Sequence, residues 1–210
     1  TSTSTSSSSA KAKAKTSTPV VAVSVEPVSI LDLDTALATL AGLAIPDWEE
    51  HVAAFNESDW KPKVAAYKAL CEFVGSQDQD QEVLSRDVVD AVFGFVAAKS
   101  RTFRDSNFNL ALATHEVIRS LAAAATQHFT VGHAAVVIAS ITPKFGDRKV
   151  GESVVATMDV FCNTSAGAAV VLATLPTAMA KLRSPVALTA CHEYVASVVE
   201  RIGAINLDCK

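Results

Sequence analysis

From about residue 30 onward, apolar residues recur at three- and four-residue spacing, and short polar breaks interrupt them at regular intervals. "TALATLAGL" predicts a first helix, with Asp32 or Asp34 as its cap. Ile45-Pro46-Asp47 opens a second, "DWEEHVAAF". After "ESDW" comes "KPKVAAYKALCEFV", which sets Val64, Tyr67, Leu70, Cys71 and Val74 on one face. Further helices are expected in "EVLSRDVVDAVFGFVAA", "FNLALATHEVIRSLAAAA", "HAAVVIASIT", "KVGESVVATMDVFC", "AAVVLATLPTAMAKL" and "VALTACHEYVASVVERIGAI". No stretch alternates long enough to compete as a strand. The pattern therefore predicts an all-α chain, either a bundle or a solenoid of paired helices.

The breaks separate these two possibilities. In order they fall near residues 58–63, 75–82, 99–106, 126–132, 144–149, 163–167 and 182–185. The odd ones carry Lys61 and Lys63; Lys99, Arg101 and Arg104; Lys144, Arg148 and Lys149; Lys181 and Arg183. The even ones carry no cation, and the first is acidic, with Asp78, Asp80 and Glu82. The odd breaks lie near 60, 101, 146 and 183, a spacing that matches the period of about 40–47 residues of HEAT and armadillo repeats. We expect a HEAT-repeat solenoid of paired antiparallel helices, with about four repeats over residues 30–207. In such a stack, alternate turns project from opposite edges, so the cations would form one ridge.

Composition adds a tail. Residues 1–28 open with "TSTSTSSSSAKAKAKTST", which holds too little apolar surface to offset its ordering entropy and is expected to be a disordered linker. Its Lys11, Lys13 and Lys15 make it either a spacer or a basic tether for an acidic surface. The net charge is −4, so the chain beyond that tail is more acidic still. Nothing resembles a membrane span or a signal peptide, and the start without Met suggests a piece of a longer protein. Cys71, Cys162, Cys191 and Cys209 are scattered, which favours free thiols in a reducing, intracellular setting.

Candidate chemistry is sparse. His115, His128, His133 and His192 have no metal-ligand spacing, and no nucleophile elbow, phosphate loop or dinucleotide fingerprint occurs. We expect no enzyme, cofactor or metal. Trp60 reads as an interface anchor or as a packing residue, and Trp48, in register with Val52 and Phe55, as core. Lys144 and Lys149 are partner contacts or simply solvated. Asp147 and Asn107 are candidate helix caps or contacts.

The turns also resemble a known family. "SDWKPKVAAYKAL" (58–70) is similar to the first within-repeat loop and following helix of TOG domains, and "FGDRKVGES" (145–153) to their third loop. "RDSNFNLALATHEVI" (104–118) looks like the second repeat of the third TOG domain in TOG-array microtubule polymerases. The resemblance spans about residues 46–205, and four repeats stand where the family usually has six. It implies a module that binds the αβ-tubulin heterodimer in its curved form, within a microtubule polymerase or plus-end regulator. It also implies neighbouring TOG domains in the full chain and a place in the cytoplasm on microtubules, spindle or centrosome. Carried over by residue, it implies Trp60 against β-tubulin flanked by Lys61 and Lys63. Arg104 and Asn107 would stand in the second loop, Lys144, Arg148 and Lys149 in the third, and Arg183 and Ser184 in the fourth. The alternative is a HEAT-repeat scaffold for a different protein. Nucleic acid is disfavoured by the acidic net charge and the scarcity of aromatics on the ridge.

Overall fold

The structure, a computed structural model, describes residues 28–76, 84–164 and 167–207. The Ser/Thr/Lys tail, the acidic break at 78–82 and Cys209 lie outside these residues. The described residues form nine α-helices and no strand, so the chain is all-α as its periodicity predicts. They are α1 (Leu33–Ala41), α2 (Trp48–Ala54), α3 (Trp60–Gly75), α4 (Arg86–Lys99), α5 (Phe108–Ala124), α6 (Val131–Ile141), α7 (Gly151–Cys162), α8 (Gly167–Met179) and α9 (Pro185–Leu207). None of them is long and apolar enough to cross a membrane.

Local chemistry sets most of the helix starts. Asp32 accepts from Thr35 N–H, Asp59 from Lys61 N–H, and Asn107 from the N–H groups of Asn109 and Leu110. Each thereby satisfies a donor that has no partner inside its own helix. Thr130 and His133 form a reciprocal cap at the start of α6. Pro185 opens α9, where a missing N–H costs nothing.

The helices pack in two rows. In one, α3 lies on α5 and α5 on α7; in the other, α1 lies on α4 and α6 on α8. Links between the rows include α2 with α3, α7 with α8, and α8 with α9. Helix α4 is buried almost all round, from Val88 through Ala97, as a helix enclosed by neighbours must be. Gly94 on it lets the chain entering α1 cross closely: a Cβ there would stand 3.0 Å from both the side chain and the carbonyl of Leu31. A run of aromatic rings joins successive elements. Trp48 and Phe55 meet Phe95 at 5.1 and 5.3 Å, Phe93 meets Phe103 at 5.2 Å, and Phe129 stacks on Phe161 at 5.5 Å. Each large side chain fully buried in this way contributes about 1.5–3 kcal/mol. Trp48 is thus core, as its register indicates.

Two buried polar clusters interrupt the apolar packing. His133 Nε2 stands 2.8 Å from Asp90, whose other oxygen pairs with Arg86 at 2.9 Å, and the imidazole packs against the rings of both Phe93 and Phe129. Between α5 and α7, Arg119 donates to Ser153 Oγ at 2.9 Å, and that oxygen lies 3.1 Å from His115 Nδ1. Burial, then Arg119 and Lys144, push the His115 imidazole down to about 4, so it is neutral at pH 7.

Candidate partner-binding edge

The turns that join α2 to α3, α4 to α5, α6 to α7 and α8 to α9 are in contact with one another through named side chains. Lys63, at the start of α3, shares a cavity wall with Lys99, Arg101, Asp105 and Asn107 of the second turn. Lys149 of the third turn lays its ammonium over the Phe108 ring, 4.3 Å from the centroid, at the end of the second. Gly146 of the third turn meets the start of α9: a Cβ there would come within 2.9 Å of Val186 Cγ1 and 3.2 Å of the Val186 carbonyl. The four cation-bearing turns therefore make one continuous edge. The other set of turns closes the far ends of the helices, since sixteen-residue α3 is about 24 Å long.

The second turn is held in an unusual backbone shape. Arg101, Thr102 and Phe103 all have positive φ, at 53°, 57° and 63°. A left-handed residue with a Cβ costs about 1–2 kcal/mol, so the turn must be held by other contacts. Phe103 is buried against Phe93, its N–H goes to Ser100 Oγ at 2.8 Å, and Thr102 N–H goes to the Ala97 carbonyl. Buried Ser100 is thus the internal clamp, and Arg101 is thrown outward.

The third turn is held by Asp147, which accepts from the N–H groups of Lys149 and Val150 at 2.8 and 3.2 Å. These hydrogen bonds, that from Lys149 first, keep its carboxyl below the usual range. Its capping reading is correct in kind, but the cap serves the turn before α7, which begins only at Gly151.

The sequence-derived residues fall along this edge in different states. Lys61, Arg104, Arg148, Lys149, Arg183 and Ser184 are exposed; Lys63, Asn107 and Lys144 are half-buried. Asn107 is a cap, and Ser184 Oγ accepts from Ala187 N–H at the head of α9, so both do structural work whatever else they touch. Trp60 is half-buried and is the first residue of α3, so only part of its ring is available to a partner.

Reading the sequence alone assigned no role to three groups on this edge. Lys99 and Arg101 read from the sequence as turn cations only. Phe108, 39% exposed, is a large apolar side chain at the head of α5 and beneath Lys149. Its position directly after the capping Asn107 was the available signal, because the first residue of a helix faces the turn.

Among the described residues, no group of three or more His, Cys, Asp or Glu side chains could hold a metal ion. Cys191 is buried, Cys71 and Cys162 are half-buried, and burial pushes the Cys71 thiol up to about 11. Comparison with family models, curated proteins and solved structures found no match for this chain.

Proposed function

We propose that this chain is a HEAT-repeat module of the TOG type that binds αβ-tubulin through its cation-bearing edge, as part of a microtubule polymerase or plus-end regulator. The observation that carries the reading is the contact of all four cation-bearing turns along one edge, with Trp60 at its beginning. Part of the packing supports the repeat architecture: α3 lies on α5, α5 on α7 and α6 on α8, each on the next helix but one, as in stacked pairs. A ridge of this kind would steer an acidic partner and raise its association rate, with part-apolar Trp60 and Phe108 supplying the desolvated anchors that charge alone does not.

The test is co-elution with αβ-tubulin in size exclusion at low and moderate salt, comparing wild type with Trp60→Ala/Lys149→Ala. The reading expects wild type to shift the tubulin peak and the double variant, while folded, to leave it in place. A folded wild type that never shifts tubulin sinks the proposal.

One observation favours a second reading, a scaffold for a different protein. An open groove of about 660 Å³ runs between α7 and α9, with Phe145, Val155, Ala190 and Tyr194 among its walls. One end of the groove is lined by Gly146, Asp147 and Arg148 of the third turn, so substitution of the exposed Ala156 and Ser197 by Glu, on α7 and α9, would separate the two readings. It would leave tubulin binding intact if the edge is the site.

A further inference from the structure

The cavity between the first and second turns has a chemistry of its own. It holds about 220 Å³, and Lys63, Lys99 and Arg101 all line it. Among the described residues, no carboxylate pairs with any of the three at salt-bridge distance. Lys99 is held instead over the Phe55 ring, 5.7 Å from its centroid. The wall also includes Tyr67, which is buried and whose hydroxyl lies near Thr114 and Asp105 but makes no close hydrogen bond. A poorly satisfied buried donor is unfavourable, and a ligand oxygen would relieve it. Among the described residues Asp105 supplies the only carboxylate on the wall; it accepts from Thr114 and lies within electrostatic reach of Arg101 and Lys63, and three cations against one carboxylate leave the cavity a surplus of positive charge. The head of α5 closes one side and adds the positive end of its dipole.

We propose that this cavity is an oxyanion site that takes one carboxylate or phosphate ester carried on a partner's side chain. Lys63, Lys99 and Arg101 neutralise the group, and the Tyr67 hydroxyl donates to it. A metal ion is excluded by the surplus of cations, and an apolar group by the polar walls. The site lies on the edge assigned above to tubulin, but its chemistry is independent of which protein bears the anion. It is therefore tested with free ligands.

The experiment is a titration of the ¹⁵N-labelled chain with inorganic phosphate, with sodium chloride holding ionic strength constant. Saturable shifts are expected at the amides of Arg101, Ser106 and Asn107, without matching shifts at Lys149 or Arg183. Lys99→Gln/Arg101→Gln should weaken the affinity about tenfold or more, and Tyr67→Phe about fivefold, with the dispersion of the spectrum preserved. Two versions of one neutral peptide, carrying a single glutamate or a single phosphoserine, then show which oxyanion source is preferred; a glutamine version is the reference. Shifts no larger than those from chloride, equal shifts along all four turns, or indifference to the Lys99/Arg101 substitutions would overturn the site. So would two acidic peptides that bind no better than the glutamine one. Because tubulin is absent throughout, failure here and failure of the tubulin reading are separate results.

Discussion

Three consecutive residues, Arg101, Thr102 and Phe103, carry the largest local cost on the edge. Thr102 is the one whose side chain does least, since only its N–H is bonded. Thr102→Gly should stabilise the fold by about 0.5–1 kcal/mol, the relief of a left-handed residue less the added freedom of the unfolded chain. Urea unfolding would show this as a higher midpoint at unchanged slope. His115 provides a second residue-scale prediction. Its unfolded imidazole takes up a proton near pH 6.5, and its folded one only near 4. Between those values the unfolded chain holds the extra proton, so stability is full above about pH 6.5 and falls as pH drops toward 4. The loss is on the order of 3 kcal/mol by linkage. His115→Gln should flatten that part of the stability profile, and parallel profiles for the two proteins would contradict it. The caps at Asn107 and Asp147 were legible at this scale because short polar side chains before an apolar run have few other uses. The half-burial of Trp60 was not, since it depends on where α3 begins.

At the scale of elements, helix boundaries followed the periodicity closely, and α8 continues through Pro176 as its apolar spacing implied. The turn at 101–103 was illegible, because "KSRTFR" has no Gly or Asn to announce positive φ. The geometry is imposed by Ser100 and Phe103 from inside. The third turn shows the opposite case, where Gly146 is both the sequence signal and the structural requirement. Its φ is +72°, and it sits against α9. Gly146→Ala must displace Val186 or the α9 backbone, and we expect a loss of about 2–3 kcal/mol. The head of α9 should loosen first. Hydrogen exchange at Ala187 and Leu188 reads this directly, and unchanged protection there would contradict the contact.

The whole molecule places its cations mainly at one end of the helices. That was legible from turn composition, since the alternation of cation-rich and cation-free breaks needs no side-chain geometry to see. Four described cations depart from the pattern: Lys68 within α3, Arg86 at the start of α4, Arg119 within α5 and Arg201 within α9; Arg86 and Arg201 are paired, with Asp90 at 2.9 Å and Asp159 at 2.8 Å, and Arg119 is bonded to Ser153. What composition could not reveal was the side-by-side contact of the turns, through the Lys63–Asn107 cavity, the Lys149–Phe108 pair and the Gly146–Val186 approach. The central claim is that this edge, and not the opposite one, receives the partner. The most direct measurement is the affinity of αβ-tubulin for three proteins at fixed salt: wild type, Lys61→Glu/Lys149→Glu on the cation edge, and Gln127→Glu on the other. We predict that the double reversal weakens binding by about a hundredfold or more while Gln127→Glu stays within about twofold of wild type. Equal loss in both, or no loss in the double reversal, would contradict the account.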